Sequence, residues 1–158
     1  MNELISLIKD NFSAFVEVMF FIPTRFKVWY WSEAVVLIII LAVAVGVIFL
    51  SDRLMRKYSL GFPASVLLTF LVLSLTLGLT GFFLSIPRLF RYVSNEFLIV
   101  GIGSPVFNLA LGVMAALGNR LRNNHLIAGI LLLLVAGLLF AYIFFTTFIV
   151  FLWPIINN

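Results

Sequence analysis

The chain has no cysteine, a single histidine and very little charge of either sign. The missing cysteines exclude disulfides, thiolate metal sites and cysteine nucleophiles. Charged residues are 10% of the 158 and apolar ones 64%, with a mean hydropathy of +1.24. A soluble domain ordinarily carries about a quarter charged and about half apolar residues. Folded in water, a chain of this length has too much surface to cover with so few charges, so its solvent is lipid. The formal charge of +4 is no nucleic-acid footprint, because the ten basic residues are spread over short connections and the N-terminal segment. No nucleic-acid partner is expected, and no residue pattern identifies a small-molecule substrate.

Charge is scarcest where it would matter most. Four apolar runs stand out, at 34–50, 64–86, 97–117 and 126–152, and none has Asp, Glu, Lys, Arg or His in its interior. Proton relays, voltage sensors and ion-coupled transporters need such groups at membrane depth. A pump, a motor stator or a secondary transporter working alone is therefore not expected. A passive pore lined by hydroxyls or carbonyls stays open. Catalysis is not expected either. Ser74 and Ser104 have no intramembrane base, and His125 lies in a connection beside Arg120 and Arg122 without a second histidine or a carboxylate. Neither a triad nor a metal site can be assembled from that, and no cofactor is implied.

What is present predicts an all-α integral membrane protein of four transmembrane helices. A span needs roughly 17–25 residues, and the fourth run overshoots that, so it is expected to tilt or to project at Phe148–Trp153. Three short connections make an antiparallel bundle of sequential neighbours the simplest arrangement.

Residues 1–32 differ from the bundle at 33–158. On a helical wheel Leu4, Ile5, Leu7, Ile8, Phe12, Phe15, Val16 and Met19 share one face, with Asn11 the misfit. Asn2, Glu3, Ser6, Lys9, Asp10, Ser13 and Glu17 share the other. This predicts an amphipathic interfacial helix ended by Pro23. A fifth span is not expected, because Lys9, Asp10 and Glu17 would have to enter hydrocarbon. The segment Met1–Ile22 does not read as a signal peptide, since Glu3 and Asp10 stand where a basic region belongs. Interfacial helices usually show Lys and Arg to anionic lipid. Glu3, Asp10 and Glu17, seven residues apart, suit a protein neighbour as well as a membrane surface. Trp29, Tyr30 and Trp31 then form an aromatic anchor, matched by Trp153.

Four spans put both termini on one side, with Lys9, Arg25, Lys27, Arg88 and Arg91. Arg53, Arg56, Lys57, Arg120 and Arg122 lie on the other. Lys9 is far from a span, so the count near the membrane leans toward cytoplasmic connections at 51–63 and 118–125 and extracytoplasmic termini. These five bases read as topology signals and lipid head-group contacts.

Two helix faces are candidate sites. In the second span Ser65, Thr69, Thr76 and Thr80 form a hydroxyl stripe, fit for interhelical packing and self-bonding, or for lining a pore if copies surround an axis. In the third, Ser104, Asn108, Gly112 and Ala116 step by four along a small-residue seam. Pro105 lacks an N–H and crowds the Gly101 carbonyl, which predicts a kink at 101–105. Asn108, the most polar group inside any span, is a packing residue or a ligand, ion or gating position. Ala42-x-x-x-Gly46 and Gly137-x-x-x-Ala141 are further contact candidates.

The leading expectation is a non-enzymatic subunit that assembles with itself or with other membrane proteins, in a bacterial inner or comparable energy-transducing membrane. The alternative is a homo-oligomeric pore or membrane effector, such as a small channel or a phage-defence or immunity-type protein.

Overall fold

The computed structural model describes residues 2–25, 31–85 and 95–156, and no strand occurs among them. Six helices follow in order: α1 (Asn2–Arg25), α2 (Trp31–Lys57), α3 (Phe62–Ser85), α4 (Asn95–Gly103), α5 (Pro105–Asn124) and α6 (Leu126–Ile156). Three of them, α2, α3 and α6, are long and apolar enough to cross a membrane. The run at 97–117 divides at Ser104 into α4 and α5, but Ser104 keeps helical dihedrals (φ −75°, ψ −25°). Its N donates to the Val100 carbonyl at 3.1 Å and its carbonyl accepts from Asn108 N at 3.0 Å, so the helical path continues through the expected kink position. α4 is nine residues long, too short to span. α5 spends its last turns on Asn119, Arg120, Arg122, Asn123 and Asn124.

The core is an alternating bundle of α2, α3, α5 and α6. α5 lies between α3 and α6, and α2 packs mainly on α6 and only lightly on its sequence neighbour α3. Glycines set these approaches. A Cβ on Gly112 of α5 would meet the Val66 carbonyl of α3 at 2.8 Å, and one on Gly137 of α6 would meet Val45 of α2 at 3.2 Å. Gly118 faces Leu133, and Gly129 lies against the backbone of Arg122, which brings the start of α6 onto the end of α5. The Ala42-x-x-x-Gly46 pair makes no such contact: nothing lies within 4 Å of a Cβ on Gly46. α2 instead buries Ile40, Ala44, Ile48 and Met55.

The turn from α2 to α3 ends its helix by two hydrogen bonds, Leu60 N to the Met55 carbonyl (3.0 Å) and Ser59 N to the Arg56 carbonyl (3.2 Å). This 6→1, 5→2 pair needs a left-handed residue between. Ser59 supplies it, with φ 48°.

Helix α1 runs through Pro23 rather than ending there. Proline cannot donate to the carbonyl four residues back, here that of Met19. The Tyr142 hydroxyl of α6 donates to that carbonyl instead, so the missing bond is replaced across the fold. α1 packs chiefly on α4 and also touches α6. Phe15 is fully buried, seated over Gly103, where any Cβ would collide with it. Phe12 stacks on Phe107 at 5.7 Å. The predicted apolar face is thus divided. Its second half is docked, while Leu4, Ile5, Leu7 and Ile8 stay exposed. Asn11 donates to the Leu7 carbonyl at 2.8 Å, which lets the misfit sit near the contact. Lys27, Trp29, Tyr30, Arg88 and Arg91 lie outside the described residues.

Candidate functional site

Two polar groupings interrupt the apolar bundle. One lies inside it, between α3 and α5; the other lies where the last turns of α2 and α5 meet.

The inner one is built on the α5 seam. Ser104, Asn108, Gly112 and Ala116 are all buried. Asn108 Nδ2 donates to Ser74 Oγ of α3 at 3.1 Å, while its Oδ1 is buried without a partner. Ser104 Oγ donates to the Val100 carbonyl at 2.5 Å. Where α4 meets α5, Ser74, Gly78, Gly81, Gly101, Ser104 and Pro105 border a cavity of about 90 Å³. Because Pro105 has no N–H, the Gly101 carbonyl at this edge loses its helical donor. The space takes two or three waters by volume.

The hydroxyl stripe of α3 turns inward on itself. Thr69 donates to the Ser65 carbonyl at 3.0 Å, Thr76 to Val72 at 2.8 Å and Thr80 to Thr76 at 2.8 Å. Ser65 bonds the Leu60 carbonyl at 3.4 Å. Ser65 and Thr69 are buried. A hydroxyl whose proton is held by its own helix offers a passing ion only a lone pair. In α6, Thr146 and Thr147 behave in the same way, bonding the Tyr142 and Ile143 carbonyls.

The second grouping centres on Asp52, which sequence reasoning missed. Its side chain is completely buried at the last turns of α2. Oδ1 accepts from Asn119 Nδ2 at 2.7 Å, and Oδ2 accepts from both Arg122 and Arg56 at 2.9 Å. A buried carboxylate is tolerable only when paired and hydrogen-bonded, and three donors meet that demand. Asn119 and Arg122 are three apart, hence on one face of α5. Arg56 reaches back one turn from the same helix as Asp52. The signal available in sequence was the Asp52-x-x-x-Arg56 pair at helical spacing.

The other predicted bases sit around this tie. Arg53, Lys57 and Arg120 are exposed. Arg120 lies over the Phe62 ring at 5.6 Å and Lys57 over that of Tyr58 at 5.4 Å. Glu3, Asp10 and Glu17 are exposed on α1, remote in sequence from all of these.

Among the described residues, no three His, Cys, Asp or Glu stand together to hold a metal ion. What the two groupings can do chemically is accept and donate hydrogen bonds and present positive charge. No family model, curated protein or solved structure matches the chain. Function therefore has to be argued from these sites.

Proposed function

We propose that the chain is a non-enzymatic, multi-pass membrane subunit that assembles through its helices with other membrane proteins. In this reading α2, α3, α4 together with α5, and α6 make four crossings, and α1 lies at the membrane surface, docked on α4. The observation that carries it is where polarity and apolarity point. The α3 hydroxyls at 69, 76 and 80 bond their own helix and that at 65 bonds the connection just before it, and Asp52 is tied by three donors. The outer faces of the long helices are apolar, with Ile38, Leu75 and Leu131 all exposed. Such a chain has surface to offer neighbours and little with which to handle a substrate.

Helix α1 is the contact to map first. Its first half shows Leu4, Ile5, Leu7 and Ile8 on one side and Glu3 and Asp10 on the other. Acidic polar faces suit anionic lipid poorly, and a protein neighbour accounts for both sides at once. The basic end at Arg53, Arg56, Lys57, Arg120 and Arg122 favours a cytoplasmic placement for that end of the bundle, in a bacterial inner or comparable membrane. The absence of cysteine makes this simple to test. A single cysteine at Ser59 should react with an impermeant maleimide only after the cells are opened.

The decisive experiment is extraction into native-lipid nanodiscs followed by mass spectrometry of everything retained. Different proteins in fixed ratio support a heteromeric complex. Monomer alone refutes assembly. A closed ring of identical chains favours a second reading, a homo-oligomeric pore, for which the unpartnered Asn108 Oδ1 and the adjoining cavity are the supporting observations.

A further inference from the structure

The Asp52 tie has a property that scattered surface bases lack. Two guanidinium groups from different helices each lie 2.9 Å from the same carboxylate oxygen, so they are neighbours of fixed relative position. Each guanidinium carries five N–H donors in a planar fork, and Asp52 engages one nitrogen of each. Arg56 keeps 44% of its side-chain surface exposed and Arg122 keeps 24%. One buried negative charge faces two positive ones, so the pair retains excess positive charge. Arg53, Lys57 and Arg120 around it are exposed and add three more cations.

We propose that Arg56 and Arg122, held apart and aimed by Asp52, form a binding site for the phosphate of an anionic phospholipid. Paired guanidiniums match the oxygens of a phosphate and bond it through parallel N–H donors. The carboxylate sets the spacing beforehand, so little side-chain freedom is lost when the phosphate arrives. A lipid rather than a free anion is the occupant because the site borders the apolar surface. Leu121 and Leu126 flank Arg122 closely in the chain and are exposed, as is Ile127 at 75%. A phosphate on the guanidiniums would leave acyl chains to lie along these residues, which a free anion does not need. Asp52 touches no ligand here; it is a positioning residue.

The test is native mass spectrometry of the full chain in mild detergent, supplied with equal amounts of phosphatidylglycerol and phosphatidylcholine. A single base attracted only diffusely supplies at most about a fivefold preference for anionic lipid, and in detergent, without a charged bilayer, less. The paired guanidiniums should therefore give wild type a preference for phosphatidylglycerol over phosphatidylcholine of more than about fivefold. Arg56→Gln with Arg122→Gln should abolish the preference, whereas Arg53→Gln with Arg120→Gln, which removes equal charge, should keep most of it. Asp52→Asn separates the mechanisms: it makes the end more positive, so diffuse attraction predicts more bound lipid and a preorganised pair predicts less. Because the Arg122 variant can fail to fold, Arg56→Gln alone, at the more exposed partner, provides the same reading with a smaller drop. The proposal is overturned if wild type shows no preference, if both double variants lose it equally, or if Asp52→Asn binds more. It is also overturned if millimolar inorganic phosphate displaces the lipid, which would make the site a free-anion site.

Discussion

Replacing Asp52 by alanine removes three acceptor contacts at once, and the structure allows the cost to be apportioned. The bond to Arg56 is an i,i+4 pair whose basic partner is 44% exposed; such pairs contribute about 0.3–0.5 kcal/mol. Asn119 is only part-buried, and its bond to an ionised acceptor contributes about 1.5 kcal/mol. Arg122 crosses from α5 to α2 and is 24% exposed. Its pair lies between the surface value of up to ~1 and the 3–5 kcal/mol lost when a fully buried partner is removed, nearer the former because water reaches the guanidinium. Together these give a loss of about 3 kcal/mol. Asp52→Asn preserves volume and one acceptor, and should cost about half as much.

The assay is reversible unfolding in mixed dodecylmaltoside–SDS micelles, followed by far-UV circular dichroism. A double-mutant cycle between Asp52→Asn and Arg122→Gln should return a coupling of about 1 kcal/mol, and the same cycle with Arg53→Gln should return none. Asp52→Ala within about 0.5 kcal/mol of wild type would refute the reasoning. So would equal coupling to Arg53 and Arg122, since that would make the interaction a diffuse field rather than a tie.

Other substitutions probe the rest of the fold. Gly112→Val forces a side chain against the Val66 carbonyl, 2.8 Å from the nearest Cβ position, and should cost about 1–3 kcal/mol in the same titration. Gly46→Ala meets nothing within 4 Å and should gain about 0.5–1 kcal/mol from helix propensity. Ser59→Gly relieves the left-handed strain at φ 48° and should stabilise by about 1 kcal/mol, seen as a raised thermal midpoint. Asn108→Leu removes the donor to Ser74 and puts a bulkier side chain into the buried α3–α5 seam, and should cost about 1–3 kcal/mol. Under the proposed assembly reading it should leave ion flux in liposomes unchanged, as should Thr76→Val. A change in flux from either variant would favour the pore.

Much of this was legible because lipid allows few solutions. Continuous apolar runs dictated helices, since a helix satisfies its backbone within its own segment and a barrel strand would be shorter and alternate. Pro105 announced a kink where α4 meets α5, and the four-residue step of Ser104, Asn108, Gly112 and Ala116 announced the buried seam. The residues that misled share a cause: their partners are distant in sequence. Asp52 follows the first apolar run by two positions and reads as loop punctuation. What buries it are Asn119 and Arg122, 67 and 70 residues away. Pro23 was expected to end α1 because nothing local could replace the donor it lacks. Tyr142, 123 residues from Met19, replaces it. Small-x-x-x-small pairs were equally blind to context: Gly137 reaches a neighbouring backbone while Gly46 faces open space. A pattern states what a face can do, and only the neighbour decides whether it is used.

The two prolines join these features into one argument about α1. Each frees a carbonyl four residues earlier, Met19 for Pro23 and Gly101 for Pro105. A carbonyl shut away from water without a donor costs several kcal/mol, so a proline at such a place persists only where the surroundings compensate. Tyr142 compensates the first. The second proline lies two residues after Gly103, the residue on which Phe15 sits. Any larger residue at 103 would exclude Phe15, and without Phe15 and Met19 in place α1 would lose its grip on α4 and α6. The glycine at 103 and the docking of α1 therefore depend on each other. A free amphipathic arm would need neither. A docked one holds Glu3, Asp10 and the exposed Leu4–Ile8 face in a fixed position, which is what a partner interface requires and a mere tether does not.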